Sequence, residues 1–333
     1  MKTQTLRWGI LSTAKIGREK VIPALQKSKY IQVTAIASRN IETAKETAKL
    51  LNIPKSYGSY EELLADKEID AIYIPLPNHL HVEWAIKAMQ AGKHVLCEKP
   101  IGLTSKEAQT LLMATNEFPH LKIMEAFMYR YHPQWVYAKE LVTSGKIGDV
   151  KIIESFFSYY NIDPKNIRNR VEVGGGAMMD IGCYCVSLAR FLFGEEPKNV
   201  LGIVDFDPEM KTDRLSTGIL NFSKGNSTFT CSTQLMPHQR VNIVGNKGRL
   251  EIEIPFNMPP DQKAKVFLYT SNGKEEILFD PIDQYTLQAD AFSKAILNDE
   301  PVPYGLQDAV NNMKVIEAIF ESAKQKSWIE IKN

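Results

Sequence analysis

The chain is poor in cysteine, balanced in charge and free of long apolar runs. Its 333 residues hold four cysteines, Cys97, Cys183, Cys185 and Cys231. Cys183 and Cys185 make a C-x-C, which is not a zinc spacing, and no flanking histidine completes a cluster, so no metal is expected. So few cysteines in so long a chain point away from a disulfide-held secreted domain and toward buried thiols in a reducing compartment. Forty Lys and Arg against 39 Asp and Glu leave a net charge of +1. That balance gives no reason to expect nucleic acid or an anionic membrane as partner. No run of about 18 apolar residues occurs, so no membrane span is expected. The stretch from Met1 to Trp8 has no apolar signal core, and the cytoplasm is the expected location.

What is present is an ordinary globular composition, 44% hydrophobic and 24% charged, in a chain long enough for two domains. The first 122 residues alternate strand and helix patterns. Strands are expected at Arg7 to Leu11, Ile31 to Ala37, Asp70 to Pro77, His94 to Cys97 and Leu121 to Phe127. Asn40, Ser59 and Thr104 stand where helix N-caps belong, and Pro23 should kink or restart the first helix. This order predicts a doubly wound parallel sheet, a Rossmann-type α/β domain over residues 1–122. From 123 to 333 the pattern changes to strand-like runs joined by short turns, such as Thr217 to Phe222, Ser227 to Thr233 and Val241 to Val244. Helices are expected at Ala177 to Leu192, Leu287 to Asn298 and Gly305 to Lys324. An α+β domain with a large, open, mainly antiparallel sheet follows. Strand Thr217 to Phe222 carries apolar groups on both faces, which predicts that one face meets a second subunit in a homodimer or larger homo-oligomer.

A strand that ends in a small-residue loop and opens a helix is an anion site. The dinucleotide fingerprint is G-x-G-x-x-G, but here those positions read Ser12, Thr13, Ala14, Lys15, Ile16 and Gly17. Two glycines are replaced, so Ser12 and Ala14 allow close backbone approach only if their φ angles stay negative. Gly9 lies within the strand. The second strand ends at Ser38 and Arg39, about 21 residues beyond Gly17, where an NAD site usually places an acid for the ribose 2′-hydroxyl. A serine and an arginine suit a 2′-phosphate instead, which points to NADP, with NAD possible. Leu76, near the end of the third strand, and Asn78, His79 and His81, which follow it, are expected along the cofactor, with no acid or cysteine spaced to make the histidines metal ligands.

Glu98-Lys99-Pro100 closes the strand at His94 to Cys97, at the sheet edge where ligands bind. A lysine there can hydrogen-bond a hydroxyl and stabilise a developing alkoxide. Further on come Glu125-Ala126-Phe127-Met128-Tyr129-Arg130-Tyr131-His132-Pro133 and Gly174-Gly175-Gly176-Ala177-Met178-Met179-Asp180-Ile181-Gly182-Cys183-Tyr184. On a helix from Ala177, the residues Met178, Ile181, Cys185, Leu188 and Leu192 form one apolar stripe, while Asp180 and Tyr184, at i and i+4, share another face.

These motifs, in this order, resemble the glucose–fructose oxidoreductase, inositol dehydrogenase and rhizopine-catabolism (Gfo/Idh/MocA) family. The resemblance spans nearly the whole chain and is nearest the branch of NADP xylose dehydrogenases and dihydrodiol dehydrogenases. It implies that Lys99 contacts nicotinamide ribose and substrate, that Glu98 lies beside the cofactor, and that the bond before Pro100 is cis. It implies hydride transfer between nicotinamide and a carbinol carbon of a small sugar, inosose or vicinal diol. Tyr184 is then the first candidate for the proton carrier, activated by the Lys99 ammonium, with Asp180 orienting the hydroxyls. Arg168, before the glycines, is expected to reach the nicotinamide side. The competing reading is a non-enzymatic NADP-binding regulator of the same fold, which need not keep Lys99, Asp180 and Tyr184.

Overall fold

A computed structural model describes residues 5–332, so the part of the N-terminal expectation that rests on residues 1–4 lies outside the described residues. The chain forms two compact units. One takes the residues up to Met128 together with Asp283–Val310, and the other takes Tyr129–Ile282 and the residues from Asn311 onward.

In the first unit, strands β1 (Leu6–Leu11), β2 (Ile31–Ala37), β3 (Lys55–Tyr57), β4 (Ala71–Ile74), β5 (His94–Cys97) and β6 (Ile123–Glu125) form one sheet in the order 3-2-1-4-5-6. Every pairing in it is parallel. Helices α1 (Ile22–Leu25), α2 (Ile41–Leu50), α3 (Tyr60–Ala65), α4 (His81–Gln90) and α5 (Ser105–Ala114) connect the strands. The sheet centre is apolar on both sides, with Ile10, Leu11, Ile72 and Ile74 fully buried, as a parallel sheet covered by helices requires. The predicted caps are in place: the side chains of Asn40, Ser59 and Thr104 each accept a backbone N–H in the first turn of α2, α3 and α5. Strand β3 escapes a sequence reading because its three residues are too short to show alternation. Gly9 is a packing residue: a Cβ there would come within 2.7 Å of Leu63 on α3. The strand order reverses between β1 and β4, and their carboxyl ends form the crevice where such sheets bind ligands.

The second unit contains helix α6 (Pro133–Thr143), strand β7 (Val150–Tyr160), helix α7 (Cys183–Phe193) and then β8 (Asn199–Phe206), β9 (Asp213–Asn221), β10 (Asn226–Ser232), β11 (Gln234–Gly245), β12 (Gly248–Ile252), β13 (Ala264–Thr270) and β14 (Gly273–Phe279). Helices α8 (Gln284–Leu297) and α9 (Leu306–Gln325) and a short strand β15 (Ile329–Glu330) close the chain. The sheet runs 14-13-12-11-7-10-9-8-15. Its pairings are antiparallel except β7 with β10, which run parallel. Both edges are of a kind that resists further pairing. Strand β15 has two residues, and β14 carries Lys274, Glu275 and Glu276, charges that also hide it from a hydrophobic-pattern reading.

Two expectations change. Helix α8 lies in the chain beyond the second sheet, yet it belongs to the first unit, so a single boundary at 122/123 does not describe the division. The reason is packing: Phe292 meets Trp8 edge-on at 5.8 Å, Thr286 donates to the Ala24 carbonyl at 2.9 Å, and Lys27 pairs with Asp283 at 3.0 Å. The helix at Ala177 is not amphipathic either. In α7 every residue except Phe191 is buried, Arg190 included, because the helix runs through the core. For the same reason one segment, Val171–Phe193, is long and apolar enough by composition to cross a membrane, while 89% of its apolar window is buried within the protein.

Candidate active site

In the first unit, the loop after β1 turns on Ser12. Its φ is +148°, so the condition of a negative angle is not met at this position. The serine hydroxyl explains how a non-glycine residue holds that backbone. It accepts the Ala14 N–H at 3.3 Å and donates to the Pro75 carbonyl at 3.4 Å, tying the ends of β1 and β4 together at the crevice. The helix that follows opens with a π turn at Gly17–Val21 before Pro23, which has no N–H to give to a regular α turn. A Cβ on Gly17 would meet Pro75 at 3.6 Å, an ordinary contact.

At the end of β2, Ser38 accepts the Asn40 N–H and Arg39 is exposed. The Arg39 guanidinium lies against the Tyr60 hydroxyl and opposes the upward shift that burial gives that phenol. Tyr60 in turn packs edge-on against Trp84 at 4.9 Å.

At the ends of β4 and β5, Leu76 is buried and Asn78 opens a 3₁₀ turn. The Lys99–Pro100 peptide is cis. His81 is fully buried, with Nδ1 2.8 Å from the Pro100 carbonyl and Nε2 2.7 Å from the Leu76 carbonyl. Both ring nitrogens therefore face backbone carbonyls, and His81 sits between the two strand-end loops instead of lying open along the crevice. Burial pushes its pKa down to about 4, so the ring is neutral at physiological pH. A neutral ring donates to one of the two carbonyls. Glu98 accepts from Tyr73 Oη at 2.5 Å, and Tyr285 of α8 also faces it. Burial and then the Glu98 charge raise both phenols well above their usual range. The Glu125 carboxylate holds the Ile101 N–H at 2.7 Å. Sequence reading missed Tyr73 and Tyr285, since neither a buried strand tyrosine nor a residue nearly two hundred positions away carries a local signal.

In the second unit, Asp180 Oδ2 accepts from Arg168 Nε at 2.8 Å and from Tyr159 Oη at 2.6 Å. Arg168, expected toward the cofactor, is thus paired with Asp180, whose charge raises the guanidinium pKa. Burial and the same carboxylate raise the Tyr159 phenol. Tyr184 is 5% exposed and sits among rings, 5.4 Å from Phe256, 5.9 Å from Tyr129 and 6.0 Å from Phe157 between centroids. Asp180 itself lies in a π turn, Met178–Gly182, that precedes α7. The missed residue here is Tyr159. It lies next to the end of a long strand, and the alternation along β7 alone does not show that its hydroxyl meets a carboxylate 21 positions on.

The three glycines before this turn serve the protein's own packing. Gly174 and Gly176 have φ of +82° and +122°. A Cβ on Gly175 would lie 2.6 Å from the Arg168 carbonyl oxygen, and one on Gly176 would overlap Asp213. The Gly176 N–H donates to the Arg168 carbonyl at 2.8 Å.

A six-stranded Rossmann sheet with its loop at the crevice, and a second unit holding Asp180 in a π turn and Tyr184 on the core helix that follows, are the features of a nucleotide-dependent oxidoreductase. Comparison with known proteins agrees. Residues 6–122 match the model of an oxidoreductase family with an NAD-binding Rossmann fold, and residues 135–251 match the GFO/IDH/MocA C-terminal domain. The chain is 43% identical to an oxidoreductase of Rhizobium meliloti over 97% of its length and 98% of the relative's. It is 38% identical to the NADP(+)-dependent D-xylose 1-dehydrogenase 2 of Haloferax volcanii, covering 98% of this chain and 100% of that one. Among solved structures, a 3-ketoreductase from Actinomadura kijaniata in complex with NADP and TDP-benzene superposes with a TM-score of 0.90 at 27% identity, over 96% of this chain and 98% of that one. The protein belongs to the Gfo/Idh/MocA oxidoreductase family.

Proposed function

We propose that the protein is an NADP(H)-dependent oxidoreductase that moves a hydride between nicotinamide and a carbinol carbon of a sugar, inosose or vicinal diol. The observation that carries the cofactor choice is Arg39, an exposed cation at the end of β2 where an acid would select NAD. Ser12, Thr13, Ala14, Ile16 and Gly17 would take the pyrophosphate, Ser38 and Arg39 the 2′-phosphate, and Leu76, Asn78, Glu98 and Lys99 the nicotinamide half. The xylose dehydrogenase relative is named for NADP(+), and the ketoreductase structure contains NADP, which supports this assignment.

The cofactor supplies or accepts the hydride; the remaining tasks fall to side chains. Lys99 holds the reacting oxygen, Tyr184 carries its proton, and Asp180, kept in place by Arg168 and Tyr159, receives a neighbouring hydroxyl. Structures of the same ketoreductase with one tyrosine changed to phenylalanine, or one lysine to alanine or glutamate, support the choice of a lysine and a tyrosine. The outer face of the second sheet, with Ile203 exposed and Leu201 and Ile219 half-buried, would join a second copy, and the cytoplasm is the compartment that fits four buried thiols. Measuring the change in NADPH absorbance over a panel of aldoses, inositols, ketoses and diols tests the proposal. Turnover with at least one sugar or diol, faster with NADPH than with NADH, is expected. No turnover on any, or a preference for NADH, would reject it.

A further inference from the structure

Asp213, the first residue of β9, is 3% exposed. Its Oδ2 accepts the Met178 N–H at 2.7 Å and the Ser216 hydroxyl at 2.8 Å. Met178 opens the π turn that carries Asp180. The carboxyl group fills the space left by the missing side chain of Gly176, whose N–H in turn grips the carbonyl of Arg168. Its charge is also felt by Tyr159, the second partner of Asp180. One buried carboxyl group therefore stands behind three contacts of the site: the helix turn below Asp180, the loop that sets Arg168, and the tyrosine that donates to Asp180.

We infer that Asp213 is a positioning residue for this site, and that its ionisation state sets how firmly Arg168, Asp180 and Tyr159 are held. This rests on the reading of Asp180 and Tyr184 as substrate-facing groups. As a carboxylate, Asp213 offers acceptors only, which matches a helix N-terminal N–H and a serine hydroxyl. Protonation turns one oxygen into a donor and removes the negative charge that the open end of the helix favours. The titratable groups facing it are Tyr159 on β7 and Cys231 on β10, and burial holds both in their neutral forms. With no cation among the described residues acting on it, burial outweighs the hydrogen bonds and pushes the Asp213 carboxyl up to about 7. The cap is thus engaged above neutral pH and released below it, while an exposed aspartate would stay ionised throughout that range.

The test is a pH titration of the full chain labelled with ¹⁵N-methionine and ¹³Cζ-tyrosine, run on wild type, Asp213→Asn and Ser216→Ala. In the wild type, the Met178 amide and the Tyr159 and Tyr184 signals should move together with one midpoint near neutrality. Asp213→Asn should remove that shared step. Ser216→Ala keeps the carboxyl but deletes one bond to its ionised form, so the midpoint should rise; this arm stands even if the asparagine variant folds poorly. The kcat/KM of the wild type should fall on the acid side of the same midpoint, by up to about tenfold per pH unit, and that limb should be absent in a folded Asp213→Asn. A Met178 signal that does not titrate, or one that titrates while Tyr159 and Tyr184 stay still, would overturn the inference. If no sugar or diol turned over, the proposed function would fail, and the spectra would still decide the role of Asp213.

Discussion

Two loops in this protein open helices that begin with a π turn, and they have opposite compositions. The loop at Ser12–Gly17 carries one glycine where a nucleotide fingerprint has three, yet it lies at the crevice of the parallel sheet. The loop at Gly174–Gly176 has three in a row, and its open space is taken up by the Arg168 carbonyl and the Asp213 carboxyl. Glycine content alone therefore does not show where a ligand goes. In the first loop a serine hydroxyl supports a backbone angle that glycine usually supplies. In the second, glycines let the chain pack tightly enough on itself to fix the turn that carries Asp180. The first unit is the one that matches an NAD-binding Rossmann fold and the second carries the proposed substrate groups, so substitutions should divide the same way.

The largest effect is expected from Lys99 and Tyr184, the proposed reacting groups. Tyr184→Phe and Lys99→Met should each lower kcat by about 10²–10⁴-fold, and Tyr184→Phe should leave NADPH affinity unchanged. Stopped-flow turnover and fluorescence titration of the same samples check this; near-wild-type kcat for Tyr184→Phe would leave the tyrosine as a packing residue. Next is Gly176→Ala, which forces a side chain into a φ of +122° and into Asp213. A cost of about 2–4 kcal/mol in unfolding free energy is expected, with lost turnover and little change in NADPH affinity for the folded fraction. Urea melts measure the first part, and a loss below about 0.5 kcal/mol would show that the loop has slack.

Arg39→Ala belongs to the other unit and should do the reverse. Losing a charge-assisted contact to the 2′-phosphate costs about 1.5–3 kcal/mol, so the preference for NADPH over NADH should drop tenfold or more while saturated kcat holds. Titration with both nucleotides reads it directly, and an unchanged ratio would remove Arg39 from the site. Ser12→Gly should have the smallest effect. It relieves a strained angle and loses two hydroxyl bonds of 3.3 and 3.4 Å, so thermal stability should change by less than about 1 kcal/mol. A large loss would mean that the hydroxyl ties β1 to β4 more strongly than its geometry indicates.

The parallel sheet was readable from sequence because each of its main strands is a short apolar run next to a capped helix, a local pattern at Asn40, Ser59 and Thr104. The residues of Glu98-Lys99-Pro100 and of Asp180 and Tyr184 were readable as motifs. Their partners were not. Tyr159, Asp213 and Ser216 reach the Asp180 region from β7 and β9, and Tyr285 reaches Glu98 from a helix beyond the second sheet, so only the fold brings them near. The regular stripe expected on the helix at Ala177 failed for a related reason. A helix buried on all sides has no solvent face for periodicity to report, and the π turn shifts the positions of Met178 to Gly182.

The central comparison can be tested by amide hydrogen exchange, read by mass spectrometry with and without saturating NADPH. The account predicts slower exchange across Ser12–Gly17 and at Ser38 and Arg39 when NADPH binds. Exchange at Gly174–Gly176 should be already slow and unchanged, because the Gly175 and Gly176 amides are held by carbonyls of Arg170 and Arg168. Protection by NADPH at the three glycines, with none at Ser12–Gly17, would contradict it.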